Sequence, residues 1–388
     1  MTEWKTYTLK ELSKGRGEYG IGAPAVPFDK EKYTYLRITN INDDGTLNTS
    51  GMMSVDADDA EEYILEKNDI VFARTGNSTG RSYFYDGRDG ELVYAGFLIR
   101  FRLDETKVNP KILKYYTHSK SYYDWVKSFD TGGTRGNINA KTYGDMPIYL
   151  PPRHIQDRIA GILGAIDDKI ENNRRINTNL EHQAQALFDK IFFDDNDVER
   201  NPLSDYADIN PTRTLRQGVV ARYIEMANLP TRGSFPSDWS YKSYGGGCKF
   251  ANGDTIMARI TPCLENGKTA YIDFLEEQEV AFGSTEYIVI SAKSGYCPAL
   301  FYFLARNKEF VDYAVGHMNG SSGRQRVSGA DIANFSMPHI TLEESNKFAE
   351  VVMPMMDVIR NNSLENRHLA TLRDTLLPKL MNGEIKTE

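Results

Sequence analysis

The stretch Asn68-Asp69-Ile70-Val71-Phe72-Ala73-Arg74 decides the fold, because its pattern returns 185 residues later as Gly253-Asp254-Thr255-Ile256-Met257-Ala258-Arg259. Each copy starts with a turn residue and an aspartate, continues as a short, mostly apolar run, and ends in an arginine. Short runs of this kind form buried strands. We therefore predict the same buried strand, followed by the same basic residue, in both halves of the chain.

Other matched segments keep the same order in both halves. Residues 35–41 correspond to residues 223–229 at an offset of 188, and residues 133–138 correspond to residues 322–327 at an offset of 189. Unrelated strands that share common patterns would not preserve both the order and the offset. A period this long indicates a duplicated domain rather than a solenoid, whose repeats span roughly 20 to 50 residues.

Composition bounds the class of protein. The 388 residues are 40% hydrophobic and 26% charged, and no apolar run is long enough to span a membrane, so we expect a globular protein without a membrane partner. The N-terminal residues lack a signal-peptide pattern, which favours a cytoplasmic location. The cysteines Cys248, Cys263 and Cys297 have no metal-ligand spacing, so we expect reduced thiols and no metal site.

Net charge at first disfavours a nucleic-acid partner, because it is −8 and phosphates are bound by lysine and arginine. The charge is segregated, however. Acidic residues concentrate in segments such as 56–66 and 273–279, whereas the glycine-rich segments 131–141 and 319–327 contain basic residues and no acid. The total charge therefore does not exclude nucleic-acid binding by these segments.

Each half begins strand-rich and ends helical. Runs such as residues 98–103 and 286–290 are apolar or alternate in polarity between Gly, Asn and Asp turns, which indicates short strands. The helical segments cover residues 155–193 and 342–381 and follow prolines. The predicted fold class is α+β, with two strand-rich α/β domains that are each followed by a long helix.

Both helical segments carry an apolar seven-residue repeat, which predicts that the two helices pack together as a coiled coil. The predicted seam positions are Ile159, Ile166, Asn173, Leu180 and Leu187 with Ile162 and Ile176 in the first helix, and Phe348, Met355, Asn362, Leu369 and Leu376 with Val351, Val358 and Leu372 in the second. Antiparallel packing with pseudo-two-fold symmetry would bring Asn173 against Asn362 and fix the register. The alternative is that both asparagines lie on the surface of ordinary core helices. Pro354 should kink or restart the second helix.

A search for catalytic motifs finds none that both halves repeat. Gly267-Lys268-Thr269 resembles the end of a phosphate-binding loop, but the glycine required five residues earlier is Pro262. Neither half has a nucleophile elbow, a dinucleotide-binding glycine fingerprint or a repeated pair of carboxylates. We therefore predict no catalytic residues, no bound cofactor and no metal, although a site present in only one half would escape this reasoning.

Polar loops that recur in both halves give the positive signal. One loop leaves the repeated strand at residues 74–81 and again at 259–268, and the other is the glycine-rich segment. Guanidinium groups, amides and hydroxyls are the groups that contact base edges and phosphates of double-stranded DNA. The predicted DNA-binding residues are Arg74, Thr75, Asn77, Ser78, Thr79, Arg81, Thr134, Arg135, Asn137, Lys141, Arg259, Thr261, Asn266, Lys268, Ser321, Ser322, Arg324, Gln325 and Arg326.

The order of these signals resembles the specificity subunit of a Type I restriction-modification system. In the first copy the resemblance rests on Gly133-Thr134-Arg135-Gly136-Asn137-Ile138, on Met146-Pro147 followed by Pro151-Pro152, and on the helix that starts near Ile155. The second copy has Met337-Pro338 but lacks the Pro-Pro pair, which puts only its boundary in doubt. The resemblance covers nearly the whole chain.

What the resemblance implies is a non-catalytic recognition subunit. Each target-recognition domain would read one half of a split DNA sequence in the major groove, while the paired helices set the spacing and dock two methyltransferase subunits. Those subunits would bring S-adenosylmethionine and methylate adenine, and restriction and translocase subunits of the full complex would cleave unmodified DNA. The implied organisation is a first recognition domain at 1–152, a central spacer helix at 153–194, a second recognition domain at 195–340 and a C-terminal spacer helix at 341–388.

A different class of function also fits a duplicated architecture. The chain would then be a non-catalytic scaffold whose two domains bind protein partners, with the polar loops incidental. DNA affinity that falls steeply with salt concentration separates the two hypotheses, because that slope comes from counterions released by neutralised phosphates.

Overall fold

The structure is a computed structural model that describes residues 4–49, 51–130, 136–194, 198–321 and 323–385. The chain divides into two compact units, Met1–Asp168 with Leu369–Glu388, and Lys169–His368. Each unit contains one strand-rich domain and part of each of two long helices. The predicted α+β class is confirmed.

The first unit is built from strands β1 to β10, the short helices α1 to α3 and the start of the long helix α4. The strands are β1 (Lys5–Thr8), β2 (Glu18–Tyr19), β3 (Ala25–Val26), β4 (Tyr33–Leu36), β5 (Met53–Val55), β6 (Asp69–Ala73), β7 (Ser82–Phe84), β8 (Leu92–Tyr94), β9 (Leu98–Arg102) and β10 (Pro147–Leu150). The helices are α1 (Pro110–Tyr116), α2 (Lys120–Lys127), α3 (Ala140–Gly144) and α4 (Arg153–Phe192). One sheet has the strand order β2-β9-β6-β7, and a second has the order β3-β5-β4-β8 with β4 parallel to β8. Strand β1 pairs antiparallel with β10, so the beginning and the end of the domain lie side by side.

The second unit repeats this topology except at the edges of its second sheet. Its strands are β11 (Arg200–Pro202), β12 (Ala207–Ile209), β13 (Val220–Ile224), β14 (Ser240–Ser243), β15 (Lys249–Phe250), β16 (Asp254–Ala258), β17 (Thr269–Tyr271), β18 (Ala281–Gly283), β19 (Tyr287–Ala292) and β20 (Ser336–Pro338). Its helices are α5 (Ala299–Arg306), α6 (Lys308–Gly316), α7 (Gly329–Ala333) and α8 (Leu342–Met381). The order β12-β19-β16-β17 matches β2-β9-β6-β7, and β13 is parallel to β18 as β4 is to β8. The duplication seen in the sequence is therefore a duplication of the fold.

The repeated strand lies inside the first-named sheet of each domain and starts in the same way in both copies. The residue before it has a positive φ, 75° at Asn68 and 90° at Gly253, a region that asparagine and glycine tolerate best. The following aspartate is buried and accepts a hydrogen bond from a backbone N–H three residues earlier, 2.9 Å for Asp69 and 2.7 Å for Asp254. This turn explains why the two copies share a turn residue and an aspartate before an apolar run.

Both ends of each long helix are part of a domain core. In the first unit Ile159 and Leu163 of α4 and Leu377 of α8 join the buried cluster that includes Phe101. In the second unit Phe188 of α4 and Phe348 of α8 pack in the cluster around α5. The predicted domain boundaries treat the two long helices as separate spacers. In the structure both helices also contribute residues to each domain core.

The two long helices occur where the sequence predicts them, and α8 continues through Pro354 without a break. The expected restart at Pro354 is therefore wrong, because the buried residues Val352 and Met356 hold the helix on both sides of the proline. None of the helices in the described part of the chain is both long and apolar enough to cross a membrane.

The predicted heptad phase is wrong by one residue at its second position. Ile162 and Val351, which were placed in the seam, are 42% and 47% exposed, whereas Leu163 and Val352 are buried. The other three residues assigned to this position are also exposed: Ile176, Val358 and Leu372. Leu163 lies four residues after Ile159 and Val352 lies four residues after Phe348, so the second seam residue comes four residues after the first.

The helix register is also displaced from the prediction by one turn. The helices run antiparallel within the second unit, but Asn173 and Asn362 are not hydrogen-bonded to each other. Asn173 Nδ2 donates to Asn366 Oδ1 at 2.9 Å and to Glu365 Oε2 at 2.7 Å, and Asn362 Nδ2 donates to Asn177 Oδ1 at 2.9 Å. Because Asn173 corresponds to Asn362 and Asn177 to Asn366 in the repeat, the two amide pairs are equivalent. Two amide pairs, one turn to either side of the predicted contact, form the polar layer of this helix pair.

Candidate nucleic-acid interface

The two polar loops that the sequence predicts are brought together in each domain. In the first, the carbonyl of Arg74 at the end of β6 accepts a hydrogen bond from the N–H of Ile138, at 3.0 Å. In the second, the carbonyl of Arg259 accepts from the N–H of Val327, also at 3.0 Å. Backbone hydrogen bonds thus place the strand-end loop beside the glycine-rich loop in both copies. The result is one repeated surface.

Arg74 and Arg259 occupy the same place on this surface. Both are half-buried, and the Nε of each is buried with no hydrogen-bond partner among the described residues. The guanidinium of Arg74 lies over the exposed ring of Tyr19, 4.9 Å from its centre. A guanidinium that is held by its stem while part of it remains exposed is suited to a directed contact, since little side-chain freedom is left to lose on binding.

Some predicted contacts in the strand-end loop of the first domain are not available for binding. Ser78 and Thr79 are buried, and Thr79 Oγ1 donates to the Gly76 carbonyl at 2.8 Å, so we remove both from the predicted interface. Arg81 forms an ion pair with Asp43, with Nε and Oδ1 2.6 Å apart. Asn77 is exposed and Thr75 is half-buried on the same loop.

The prediction for the strand-end loop of the second domain is corrected at Lys268. Lys268 Nζ donates to the Met226 carbonyl at 2.7 Å, so this lysine ties the loop to its own domain rather than presenting a charge. Thr261 is half-buried, and its N–H donates to the Gln325 carbonyl of the glycine-rich loop at 3.1 Å. Asn266 is exposed and remains a candidate.

The structure describes only part of each glycine-rich loop. The predicted contacts Thr134, Arg135 and Ser322 lie outside the described residues. The remaining exposed candidates are Asn137, Lys141, Ser321 and Arg324, with Gln325 half-buried. The side chain of Arg324 makes no hydrogen bond or ion pair with a described residue.

Arg326 is committed to its own domain. Its Nε and Nη2 donate to the carboxylate of Glu286 at 2.8 to 3.0 Å. These hydrogen bonds raise the pKa of Arg326 and lower the pKa of Glu286. In the first domain the backbone position of Glu286 is taken by the exposed Phe97, whose carbonyl also accepts from the strand-end arginine. The two copies therefore present an apolar ring and an ion pair, respectively, at one position.

Two cavities lie beside the glycine-rich loops. The first domain has a cavity of about 760 Å³ lined by residues that include Lys10, Arg16, Tyr19 and Lys141. The second domain has one of about 480 Å³ that is lined in part by Asp208 and Ala330. Sequence reasoning selected Lys141 but missed Arg16 and Tyr19, although the sequence Gly15-Arg16-Gly17 carries a signal, namely an arginine between two glycines.

The fold and the repeated surface define a class of protein: a duplicated recognition module whose two domains are each joined to a long helix. Residues 1–182 match the family model described as Type I restriction modification DNA specificity domain. The chain is similar to the Type I restriction enzyme HindI specificity subunit of Haemophilus influenzae, with 22% identity, 99% of this chain covered and 100% of that protein. It is also similar to the putative Type I restriction enzyme MjaX specificity subunit of Methanocaldococcus jannaschii, with 21% identity over 93% of this chain and 89% of the relative.

A solved structure shares the fold. The S subunit of a Type I restriction-modification system from M. genitalium superposes with a TM-score of 0.59 at 16% identity and covers 98% of this chain and 96% of its own. Residues 1–182 thus resemble the DNA specificity domain of Type I restriction-modification systems, and nearly the whole chain is similar to specificity subunits of such systems.

Proposed function

We propose that this chain is the sequence-specific DNA-binding subunit of a Type I restriction-modification complex. Each strand-rich domain reads one half of a bipartite DNA target, and the paired helices set the spacing between the halves. The observation that carries the proposal is the repeated surface, in which the same two loops are joined by the same hydrogen bond at the end of the same strand. A scaffold protein would have no need to build this polar surface twice.

The two half-sites differ in sequence. Arg74 and Arg259 are shared, and a guanidinium can bind the O6 and N7 atoms of guanine with two hydrogen bonds. Around them the side chains diverge, with Phe97 in place of Glu286 and Asn137 in place of Arg326. Because base discrimination depends on these neighbours, the proposal includes an asymmetric target.

The chemistry belongs to partner subunits. The chain itself neither methylates nor cuts DNA, and S-adenosylmethionine binds to two methyltransferase subunits docked on the long helices. The apolar residues that are exposed at one heptad position of those helices, Ile162, Ile176, Val351 and Val358, support this docking, since apolar side chains grouped on one face are typical of a surface that a partner covers.

Mapping of methylated adenines tests the whole proposal. DNA from cells that express this chain with its methyltransferase should carry methylated adenine in one bipartite sequence that is absent without the chain. Purified alone, the chain should show no methyl transfer and no heat of S-adenosylmethionine binding. Cofactor binding by the isolated chain, or unchanged methylation when the chain is omitted, contradicts the proposal.

A single substitution tests the loops. Arg324→Ala should lower affinity for the target, by about 1 to 3 kcal/mol and at one base pair if Arg324 contacts a base, because its side chain is exposed and uncommitted. Arg306→Ala is an unsuitable control, since Arg306 holds backbone carbonyls together. Lys308→Ala serves better, because Lys308 is exposed on α6 and pairs only with Asp312. Equal losses from Arg324→Ala and Lys308→Ala would remove this loop from the interface.

A further inference from the structure

The two cavities beside the glycine-rich loops occupy equivalent positions in the fold but carry different charge. Equivalence follows from the backbone pairing. The N–H of Leu9 donates to the Met146 carbonyl, and the N–H of Leu203 donates to the Phe335 carbonyl, so Lys10 corresponds to Ser204. Asn139 and Ser328 both accept a hydrogen bond from the third residue of the helix that follows. Lys141 on α3 therefore corresponds to Ala330 on α7.

A bulge in the first domain adds an arginine to its cavity. Lys14 pairs with Arg102 of β9 and Glu18 pairs with Arg100, so residues 15–17 face the single residue Phe101. In the second domain the register is continuous, with Asp208 opposite Ser291 and Ile209 opposite Ile290. The second domain thus has Asp208 in place of Lys14, and one residue, Ile209, in place of Gly15-Arg16-Gly17.

The bulge is held tightly against the sheet. A Cβ added to Gly17 would lie 2.6 Å from the ring of Phe101, which is fully buried and cannot move away. Only glycine fits there, so the bulge fixes where Arg16 leaves the backbone. Bulges next to binding sites commonly redirect a side chain in this way.

Two cations of the first cavity are uncommitted. The carboxylates that line it are already paired, Asp145 with Lys10 at 2.5 Å and Glu18 with Arg100 at 2.5 Å. The exposed side chains of Arg16 and Lys141 make no hydrogen bond or ion pair with any residue that the structure describes. The cavity therefore presents a net positive charge to solvent, while its counterpart has Asp208 and Ala330 and no cation in its lining.

We propose that the cavity of the first domain binds the phosphate backbone of DNA through Arg16 and Lys141, and that the second domain lacks this contact. This proposal rests on the function proposed above and refines it. The two half-sites then contribute unequally, because the first domain supplies more of the salt-dependent affinity. Phosphate contacts position a protein on DNA without reading bases, so the cavity acts on affinity and not on the sequence that is read.

Salt titration of DNA binding tests the proposal with the full-length chain and a duplex that contains its mapped target. Each neutralised phosphate contributes about 0.9 to the slope of log affinity against log salt. The double substitution R16A/K141A should make the salt dependence shallower, reducing the magnitude of that slope by about 1.8. The loss of affinity between 50 and 200 mM salt should then shrink by about 12-fold. Lys120→Ala is the matched control, because Lys120 is an exposed lysine of the same unit whose one ion pair with a described residue is with Asp124. It should leave the slope unchanged.

A reciprocal variant tests the difference between the domains. Ala330→Lys places a lysine where the first domain has Lys141, on an exposed helical position. It should make the salt dependence steeper, increasing the magnitude of the slope by about 0.9. Circular dichroism should show both variants folded, since all the altered positions are exposed.

The outcomes separate this proposal from the proposed function. If the wild-type chain binds DNA steeply and specifically but R16A/K141A keeps its slope, the cavity proposal is overturned and the function stands. If the double variant relaxes discrimination at one base pair, the residues read bases and the proposal is overturned. If the wild-type chain has no salt-dependent affinity for its target, the proposed function itself fails.

Discussion

Double-mutant cycles across the polar layer of the long helices test their register. Asn173 is fully buried and donates to Asn366, whereas the sequence alone predicted a contact with Asn362. Asn173→Ala removes both hydrogen bonds that its amide donates, one to the half-buried Asn366 and one to the exposed Glu365, so the free energy of unfolding should fall by about 1 to 3 kcal/mol. The coupling energy between Asn173 and Asn366 should be about 0.5 to 1.5 kcal/mol, the net value of one buried hydrogen bond.

The assay is urea unfolding of the full-length chain, with midpoints compared at constant m. The pair Asn173 and Asn362 is the matched control, because the same residue types lie one turn apart and share no hydrogen bond. Their coupling should stay below about 0.5 kcal/mol. A stronger coupling for Asn173 with Asn362 than with Asn366 would refute the register described here.

The same site predicts the effect of an apolar replacement. Asn173 Oδ1 is buried and has no partner among the described residues, so part of the desolvation cost of this amide is not repaid. Asn173→Leu, which keeps the same number of side-chain heavy atoms and the same branching, should therefore destabilise the chain less than Asn173→Ala does. The polar layer then contributes to register more than to stability, as polar seam residues do in other coiled coils.

Two further predictions concern stability and spacing. Burial raises the pKa of Asp273 to about 7, although the nearby Arg360 lowers it; the carboxylate of Asp357 raises it further. The folded state therefore keeps a proton that the unfolded chain loses above about pH 4. Stability should therefore fall as pH rises from about 4 to about 7, by at most about 4 kcal/mol, and Asp273→Asn should flatten this dependence in thermal unfolding at pH 5 and pH 8. Insertion of one helical turn in both α4 and α8 should lengthen the preferred spacer of the methylated sequence and leave the bases at each end unchanged, because each 40-residue helix spans about 60 Å and the recognition domains are untouched.

Duplication is what made the fold predictable. A single copy of the strand at residues 69–73 would be one apolar run among many, but its return at 254–258 fixes both as strands. The long helices were equally clear, since their apolar repeats extend over many turns. Antiparallel pairing followed from the same argument, because two equivalent helices of one chain are each other's nearest partners.

The sequence could not decide which residues form the helix seam, because two heptad phases agree with it. Ile162 and Leu163 are adjacent and equally apolar, so a second seam position three or four residues after Ile159 agrees with a seven-residue repeat. Only the partner surface decides, and it buries Leu163. The asparagine register changed for the same reason, since Asn173 and Asn177 are both candidates for a buried amide.

The sequence located the two polar loops of each candidate surface, but not which of their side chains remain free to bind. Lys268 and Arg326 have the side chains that DNA contacts require, yet their partners Met226 and Glu286 lie about 40 residues away and no local pattern reveals them. A charged side chain can contribute to binding only when no residue of its own domain already neutralises it. That condition depends on tertiary contacts.

The same rule explains why the net charge of −8 misleads for this chain. An acid that is already paired, such as Glu18 with Arg100, repels an incoming phosphate much less than an unpaired acid does, because the partner cation offsets its field. In the proposed interface, DNA would meet the set of uncommitted charges at each surface. In the first domain that set includes Arg16 and Lys141 beside the glycine-rich loop, and in the second domain the corresponding wall contributes Asp208. Two copies of one fold can therefore keep the same geometry for reading bases while differing in how strongly each holds the DNA backbone.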